Sequence, residues 1–114
     1  FFDDNFNIID SRDSVINQIK IPNEFSLMKN YPNPFNPKTN IQFTVPEQSF
    51  VKLFIYDING KTIYKIINSE LKSGYYNVVW DGTNELGRKV GSGVYIYRLQ
   101  AKNFTSSQKM IFIK

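Results

Sequence analysis

Three prolines fall within six residues of the segment Tyr31-Pro32-Asn33-Pro34-Phe35-Asn36-Pro37, and they constrain the fold of this chain more than any other feature. Each proline lacks a backbone N–H donor and holds φ at about −65°, so neither a helix nor a central strand can pass through the segment. The residue before each proline is pushed toward an extended conformation. We therefore expect residues 31–37, the lead-in, to be a stiff, extended start of a domain, anchored by Tyr31 and Phe35.

Length and composition predict a single domain rich in β-structure. The 114 residues are enough for one domain and too few for two ordinary ones. Aromatic residues make up 16% of the chain and accompany many Val and Ile, which favours strands. There is no run of about 18 apolar residues, so we expect no membrane span. The chain begins at Phe1 without a visible secretory signal peptide, which indicates a fragment or the mature end of a longer precursor.

The residue types available for chemistry argue against an enzyme. Histidine and cysteine are both absent, which removes disulfides, thiolate chemistry and the commonest general base and metal ligand. The carboxylates Asp57, Glu70 and Glu85 lie too far apart in the sequence for the sequence alone to pair them. No nucleophile elbow or Gly-rich phosphate loop is present. We expect no catalytic residues and no cofactor.

Charge divides the chain into two parts. Residues 1–24 carry five acidic and two basic side chains (net −3), whereas residues 25–114 carry five acidic and twelve basic ones (net +7). We interpret residues 1–24 as a linker or the tail of a preceding domain, in which Ser14–Ile21 could form a short strand or one helical turn. The basic residues of 25–114 are spread singly, with only Arg88 and Lys89 adjacent, so we expect a solvated surface and no nucleic-acid binding.

Alternating apolar residues predict about seven strands within residues 25–114. Ile41, Phe43 and Val45 recur with a period of two, which is typical of a strand with one buried face. The stretch FVKLFIYDI at 50–58 is apolar on both faces, which indicates a central or covered strand, and Asn59-Gly60 after it is a strong hairpin signal. The remaining strands are predicted at Leu27–Asn30, Lys61–Ile67, Tyr75–Trp80, Val94–Gln100 and Ser107–Ile113. This pattern predicts an all-β fold, an immunoglobulin-like antiparallel β-sandwich, with an open barrel as the alternative.

Five ordered segments carry a family resemblance: YPNPFNPKTNIQFTVPE, VKLFIYDINGK, LKSGYYNVVWDGTNELGRKV, GSGVYIYRLQA and SQKMIFIK. Together they resemble the type A C-terminal sorting domain of the type IX secretion system and, more loosely, the immunoglobulin-like module of flagellar hook-capping proteins. The resemblance covers residues 27–114. It implies a seven-stranded sandwich that directs a secreted cargo across the outer membrane of Bacteroidota-like bacteria, and in several members a sortase then removes the domain.

The resemblance also implies partners, a location and a set of motif residues. The implied partners are the outer-membrane translocon, a shuttle protein, a sortase and the upstream cargo domain, and the implied location is extracellular or at the cell surface, after passage through the periplasm. The motif residues of the family correspond in this sequence to Tyr31, Pro32, Asn33, Pro34, Phe35, Asn36, Pro37, Tyr56, Asp57, Gly60, Lys61, Gly74, Tyr76, Trp80, Asp81, Gly82, Gly87, Gly93, Tyr95 and Leu99.

The last predicted strand is our candidate for the sorting signal, since its lysine-flanked pattern resembles the part of the family domain that carries that signal. Met110 and Phe112 should face one way, and Ile111 and Ile113 the other. On a sheet edge, its unpaired backbone groups and outward side chains could pair with a receptor strand; otherwise it is a buried, inert last strand. The predicted signal and partner-binding residues are Lys109, Met110, Ile111, Phe112, Ile113 and Lys114.

Two further sites are weaker hypotheses. Asp81, Asn84 and Glu85 offer oxygen ligands that calcium could use, although Asx turns explain Asp81 and Asn84 without a metal. An aromatic set could form a carbohydrate-stacking platform, although core and rim packing is the favoured interpretation. The set comprises Tyr56, Tyr64, Tyr75, Tyr76, Trp80, Tyr95 and Tyr97.

The function predicted from the sequence is a non-catalytic sorting domain that acts in type IX secretion through protein–protein docking. The alternative is a structural immunoglobulin-like module that is retained in a cell-surface or extracellular assembly. Carbohydrate binding is the third possibility.

Overall fold

The computed structural model describes residues 21–114, which form seven β-strands. Their bounds are β1 Ser26–Leu27, β2 Thr39–Val45, β3 Ser49–Asp57, β4 Thr62–Leu71, β5 Gly74–Trp80, β6 Gly93–Ala101 and β7 Phe104–Phe112. A three-stranded sheet has the order β1-β2-β5 and a four-stranded sheet the order β4-β3-β6-β7, with every strand pair antiparallel. The predicted immunoglobulin-like sandwich is thus confirmed, and the open barrel is wrong. Most of the predicted linker 1–24, including all but the last residue of the element expected at Ser14–Ile21, lies outside the described residues.

The core lies between the two sheets and contains the residues that the alternation placed there. Ile41, Phe43 and Val45 of β2 are at most 1% exposed. The inward residues of the other strands bury the remaining large side chains, among them Val51, Leu53, Ile55, Trp80, Tyr97, Leu99, Met110 and Phe112. Strand β3 lies between β4 and β6, as its two-sided apolar pattern predicted.

Three strands, β1, β4 and β7, differ from their predicted spans by three residues or more at one end, and β7 begins at Phe104 where the prediction began at Ser107. Strand β4 continues to Leu71 because its ladder with β3 runs on to the pair Ser49 and Leu71. Residues 68–70 of this strand are polar and exposed, as is common on edge strands. The sequence therefore shows no apolar alternation there. Strand β1 is only two residues long, since the chain after Leu27 leaves the regular ladder before it reaches the lead-in.

Phe35 of the lead-in packs against the last strand, so the first and last segments of the domain are in contact. Its ring is 2% exposed and stacks on Phe112, with centroids 4.9 Å apart. The centroid of Trp80 lies 5.6 Å from that of Phe35 and 5.4 Å from that of Tyr95, so four aromatic rings close one end of the core. The expectation that Tyr31 is a second apolar anchor is wrong, because its side chain is 78% exposed and only its backbone pairs with β2.

Two glycines offer a matched test of how this aromatic cluster limits the adjacent loop. Gly82 (φ +78°) and Gly87 (φ +79°) both adopt left-handed backbone conformations. A Cβ at Gly82 would lie 2.6 Å from the Phe112 ring, whereas a Cβ at Gly87 would meet open space. We expect Gly87→Ala to lower the free energy of unfolding by about 1 kcal/mol, and Gly82→Ala by about 2–4 kcal/mol. Urea unfolding of both variants checks this, and equal losses would contradict it.

Candidate functional site

The predicted signal strand lies at an edge of the four-stranded sheet and alternates as expected. Met110 and Phe112 are buried in the core, whereas Ile111 is 43% and Ile113 51% exposed. Lys109 and Lys114, which bracket the strand, are also exposed. Four of the six predicted signal residues therefore present their side chains to solvent, and two stabilise the fold.

The backbone at the end of this strand is already hydrogen-bonded by the lead-in. The Ile111 N–H donates to Oδ1 of Asn33 (2.9 Å), and the Ile111 carbonyl accepts from the Phe35 N–H (3.0 Å). The Ile113 N–H donates to the Phe35 carbonyl (3.0 Å), and the Lys114 N–H donates to Oγ of Ser92 (2.8 Å). The expectation that the backbone of this segment is available to a receptor strand is therefore wrong at these groups.

The outward side chains of β6 and β7 form a small apolar surface with a basic margin. Val94 lies opposite Ile111 and Ile96 opposite Lys109 in the β6–β7 register. Val94 is 37% exposed and Ile111 43%. We call Val94, Ile96, Lys109 and Ile111 the terminal-strand face. Its Lys109 and Ile111 belong to the predicted signal, and another protein can contact their side chains without displacing the lead-in.

Next to the terminal-strand face, cationic side chains lie over the aromatic rings of Phe54 and Tyr56 on β3. The Arg98 guanidinium lies 5.2 Å from the Tyr56 ring centroid, and its Nε donates to Oγ of Ser107 (3.2 Å). The Lys65 ammonium lies 5.6 Å from the Phe54 ring centroid. Such cation–π contacts occupy the ring faces on which a sugar would stack.

The aromatic set proposed for carbohydrate stacking does not share one surface. Trp80, Tyr95 and Tyr97 belong to the core. Tyr76 stacks on Phe43 with centroids 5.2 Å apart, whereas Tyr75 is 65% exposed on the outer face of the other sheet. Packing accounts for most of this set, and the geometry offers no stacking platform among these residues.

The motif residues carried over from the family resemblance shape turns and the core. Oδ1 of Asp57 accepts from the N–H groups of Asn59 and Lys61, both at 2.9 Å, and fixes the β3–β4 hairpin. The Tyr95 hydroxyl donates to the Gly91 carbonyl four residues upstream (2.7 Å), which is the tyrosine corner of immunoglobulin-like sandwiches. These residues determine the fold, and their contacts do not form a binding site.

The oxygens of the calcium candidates accept hydrogen bonds from the protein itself. Oδ1 of Asp81 accepts from the Thr83 hydroxyl (2.6 Å), and Oδ1 of Asn84 accepts from the N–H groups of Leu86 (2.9 Å) and Arg88 (3.1 Å). Oε2 of Glu85 accepts from the Lys65 N–H (2.5 Å) at the edge of β4. Asn84 thus forms an Asx turn, Asp81 makes a side-chain hydrogen bond within the loop, and the Glu85 carboxylate caps a backbone N–H group on the edge strand β4. No group of three or more Asp, Glu, His or Cys side chains gathers within residues 21–114.

Comparison with known proteins identifies the family to which this chain belongs. The sequence profile described as the FlgD Ig-like domain matches residues 34–104, more than half of the chain. The chain belongs to the FlgD Ig-like domain family. A comparison with curated protein sequences gives no match. Among the residues described, this family member has no helix long and apolar enough to span a membrane.

Three solved structures share the fold of this FlgD Ig-like domain. Dimeric latent PorU from Porphyromonas gingivalis is 21% identical, with a TM-score of 0.62, over 76% of this chain and 9% of PorU. PorZ, a surface component of the type IX secretion system of the same organism, is 21% identical, with a TM-score of 0.54, over 78% of this chain and 12% of PorZ. FlgD from P. aeruginosa is 20% identical, with a TM-score of 0.50, over 65% of this chain and 58% of FlgD. The chain thus corresponds to a small part of PorU and PorZ.

The hydrogen bond between Asn33 and the Ile111 amide was not revealed by the sequence, because the two residues lie 78 positions apart. We expect Asn33→Ala to expose the Ile111 amide and to speed its hydrogen exchange by about tenfold, with a loss of about 1 kcal/mol in unfolding free energy. Asn36→Ala is the matched control, since Asn36 is an exposed asparagine of the same lead-in. Amide exchange followed by NMR checks this, and unchanged exchange at Ile111 would show that the Asn33 contact contributes nothing.

Tyr97 ties β6 to the chain that precedes the lead-in. Its hydroxyl donates to the Met28 carbonyl (2.7 Å). Burial raises the pKa of Tyr97 to about 12, and hydrogen bonding with the Asn30 backbone opposes part of that rise.

The raised pKa predicts a loss of stability at alkaline pH. An unfolded tyrosine titrates near about 10, so the folded state holds the Tyr97 proton more tightly and its stabilisation is fully present below that pH. It should be lost as pH rises from about 10 to 12. Tyr97→Phe should cost about 1–2 kcal/mol at pH 7 and flatten the alkaline decline. Unfolding free energies of both proteins across this range check this, and parallel pH profiles would contradict it.

Proposed function

We propose that this Ig-like module is a non-catalytic sorting domain of a secreted protein, recognised by a type IX secretion system through the terminal-strand face. One observation carries the proposal: the end of β7 has an occupied backbone but exposes Ile111 beside Val94, with Lys109 at the margin. Recognition there therefore uses side chains, with the apolar pair supplying buried area and the lysine supplying charge selectivity.

Two observations support a role in export. PorZ, which shares the fold, is described as an essential surface component of the type IX secretion system. The five sequence segments that resemble sorting domains of that system are the second support. On this proposal the partners are the outer-membrane translocon, a shuttle protein and a sortase, and the cargo reaches the cell surface or the medium.

A second candidate is a structural Ig-like module that stays in the mature protein. Its support is the family match itself, together with the fold shared with FlgD from P. aeruginosa. The two candidates predict different products. Mass spectrometry of the secreted protein should find an end near residues 20–30 for a removed sorting domain, and peptides from residues 25–114 for a retained module.

The sorting role is tested by charge substitution on the terminal-strand face. A reporter fused ahead of residues 1–114 would be expressed in a bacterium with this secretion system, and its extracellular fraction measured. We expect Ile111→Glu to reduce export about tenfold, equivalent to about 1.4 kcal/mol of lost recognition. Val79→Glu is the matched control, because Val79 is 50% exposed on β5 of the other sheet.

Both variants change an exposed side chain, so circular dichroism should show that each remains folded. If the Ile111 and Val79 variants are exported equally well, the terminal-strand face is not the signal. If both fail equally while folded, export depends on overall charge and not on this face.

A further inference from the structure

The lead-in covers only the last part of the β7 edge. The N–H and carbonyl of Ile111 point away from β6 toward Asn33 and Phe35. In an antiparallel ladder every second residue points its backbone groups the same way, so those of Thr105, Ser107 and Lys109 also point outward. Within residues 21–114, β7 has only β6 as a ladder partner along this stretch.

Both ends of this open edge are fixed by packing. At one end Asn33 and Phe35 occupy the position of a neighbouring strand. At the other end Phe104 stacks on Phe25, with centroids 5.5 Å apart. The stretch between them holds five residues, Thr105–Lys109, which span about 17 Å in an extended strand. The lead-in therefore leaves these five residues of β7 as the stretch with which an added strand would pair.

A depression of about 570 Å³ lies beside the open edge, lined by Lys29, Asn33, Ile96, Ser107, Gln108 and Lys109. Two of these residues are cationic and none is acidic. Strand addition gains affinity from backbone hydrogen bonds, and the flanking side chains select the partner sequence. With Lys29 and Lys109 on its margin, this edge selects carboxylate side chains.

We propose that the Thr105–Lys109 edge binds an extended acidic segment of a partner protein by β-strand addition. The site shares Lys109 with the terminal-strand face but differs in what it offers, since it supplies backbone groups whereas the face supplies side chains. It does not depend on the export role. A second copy of this chain is disfavoured as occupant, because pairing two such edges would bring together the lysines of two domains that each carry a net charge of +7 over residues 25–114.

The proposal is tested by NMR on the full chain with synthetic peptides. The probe is an eight-residue peptide that alternates Glu with Thr and Val, and the comparison is the same peptide with Lys in place of Glu. We expect the acidic peptide to slow hydrogen exchange of the Thr105, Ser107 and Lys109 amides by about tenfold. The basic peptide should leave these amides unchanged.

Two variants separate the backbone contribution from the charge contribution. Ser107→Pro removes one outward N–H but leaves the bonds to β6, because proline is tolerated where the N–H faces away from the sheet. Lys109→Glu reverses a margin charge, and Lys72→Glu, at an exposed position between β4 and β5, is its control. We expect each of the first two variants to weaken peptide binding by about tenfold and the control by less than about twofold.

Four results would overturn the proposal. The first is unchanged exchange at the three amides with the acidic peptide, and the second is equal binding of the basic peptide. The third is protection of these amides before any peptide is added, which would mean that another part of the chain covers the edge. The fourth is protection that grows with protein concentration alone, which would mean that two copies pair.

Discussion

The contact between Phe35 and the last strand is the interaction on which the rest of this structure depends. The Phe35 ring stacks on Phe112 inside the core, and its backbone bonds to Ile111 and Ile113 on either side. One residue of the proline-rich lead-in therefore fills the end of the core and replaces a missing neighbour strand. Because prolines limit the conformations of the lead-in, little further entropy is lost when it docks. The proline-rich lead-in at the start of the domain and the strand at its end thus form a single structural unit.

This unit determines which part of the last strand can interact with other proteins. Unpaired strand edges invite association, and natural proteins cover or charge them. Here Asn33 and Phe35 cover the edge at Ile111, while the stretch before it carries Lys109 and has no second ladder partner among residues 21–114. The same strand therefore offers side chains at one end and backbone groups at the other. The other edge of this sheet is treated in a related way, since Glu85 caps β4 at Lys65.

Much of the aromatic content stabilises the sandwich and limits which ligands its surface suits. The rings of Trp80 and Tyr95 belong to the cluster at the Phe35 end of the core, and the Tyr95 hydroxyl fixes a corner. On the outer face, Arg98 and Lys65 lie over Tyr56 and Phe54. A surface of covered rings and separate cations suits a protein partner with complementary charge better than a sugar that needs bare ring faces.

The sequence by itself determined the fold class, most strand positions and the inward faces, because period-two alternation and turn residues act locally. It also predicted that Ile111 and Phe112 face opposite ways, but not that Phe112 is the buried one. It did not reveal that Tyr31 is exposed, or that Asn33 and Glu85 cap strand edges. Only the tertiary structure decided those points. The Glu85 and Asn33 contacts join residues that are 20 and 78 positions apart. Their geometry depends on how the folded sheets bring distant parts of the chain together. The open edge at Thr105–Lys109 follows from the same cause, since it is the part of β7 that the lead-in does not reach.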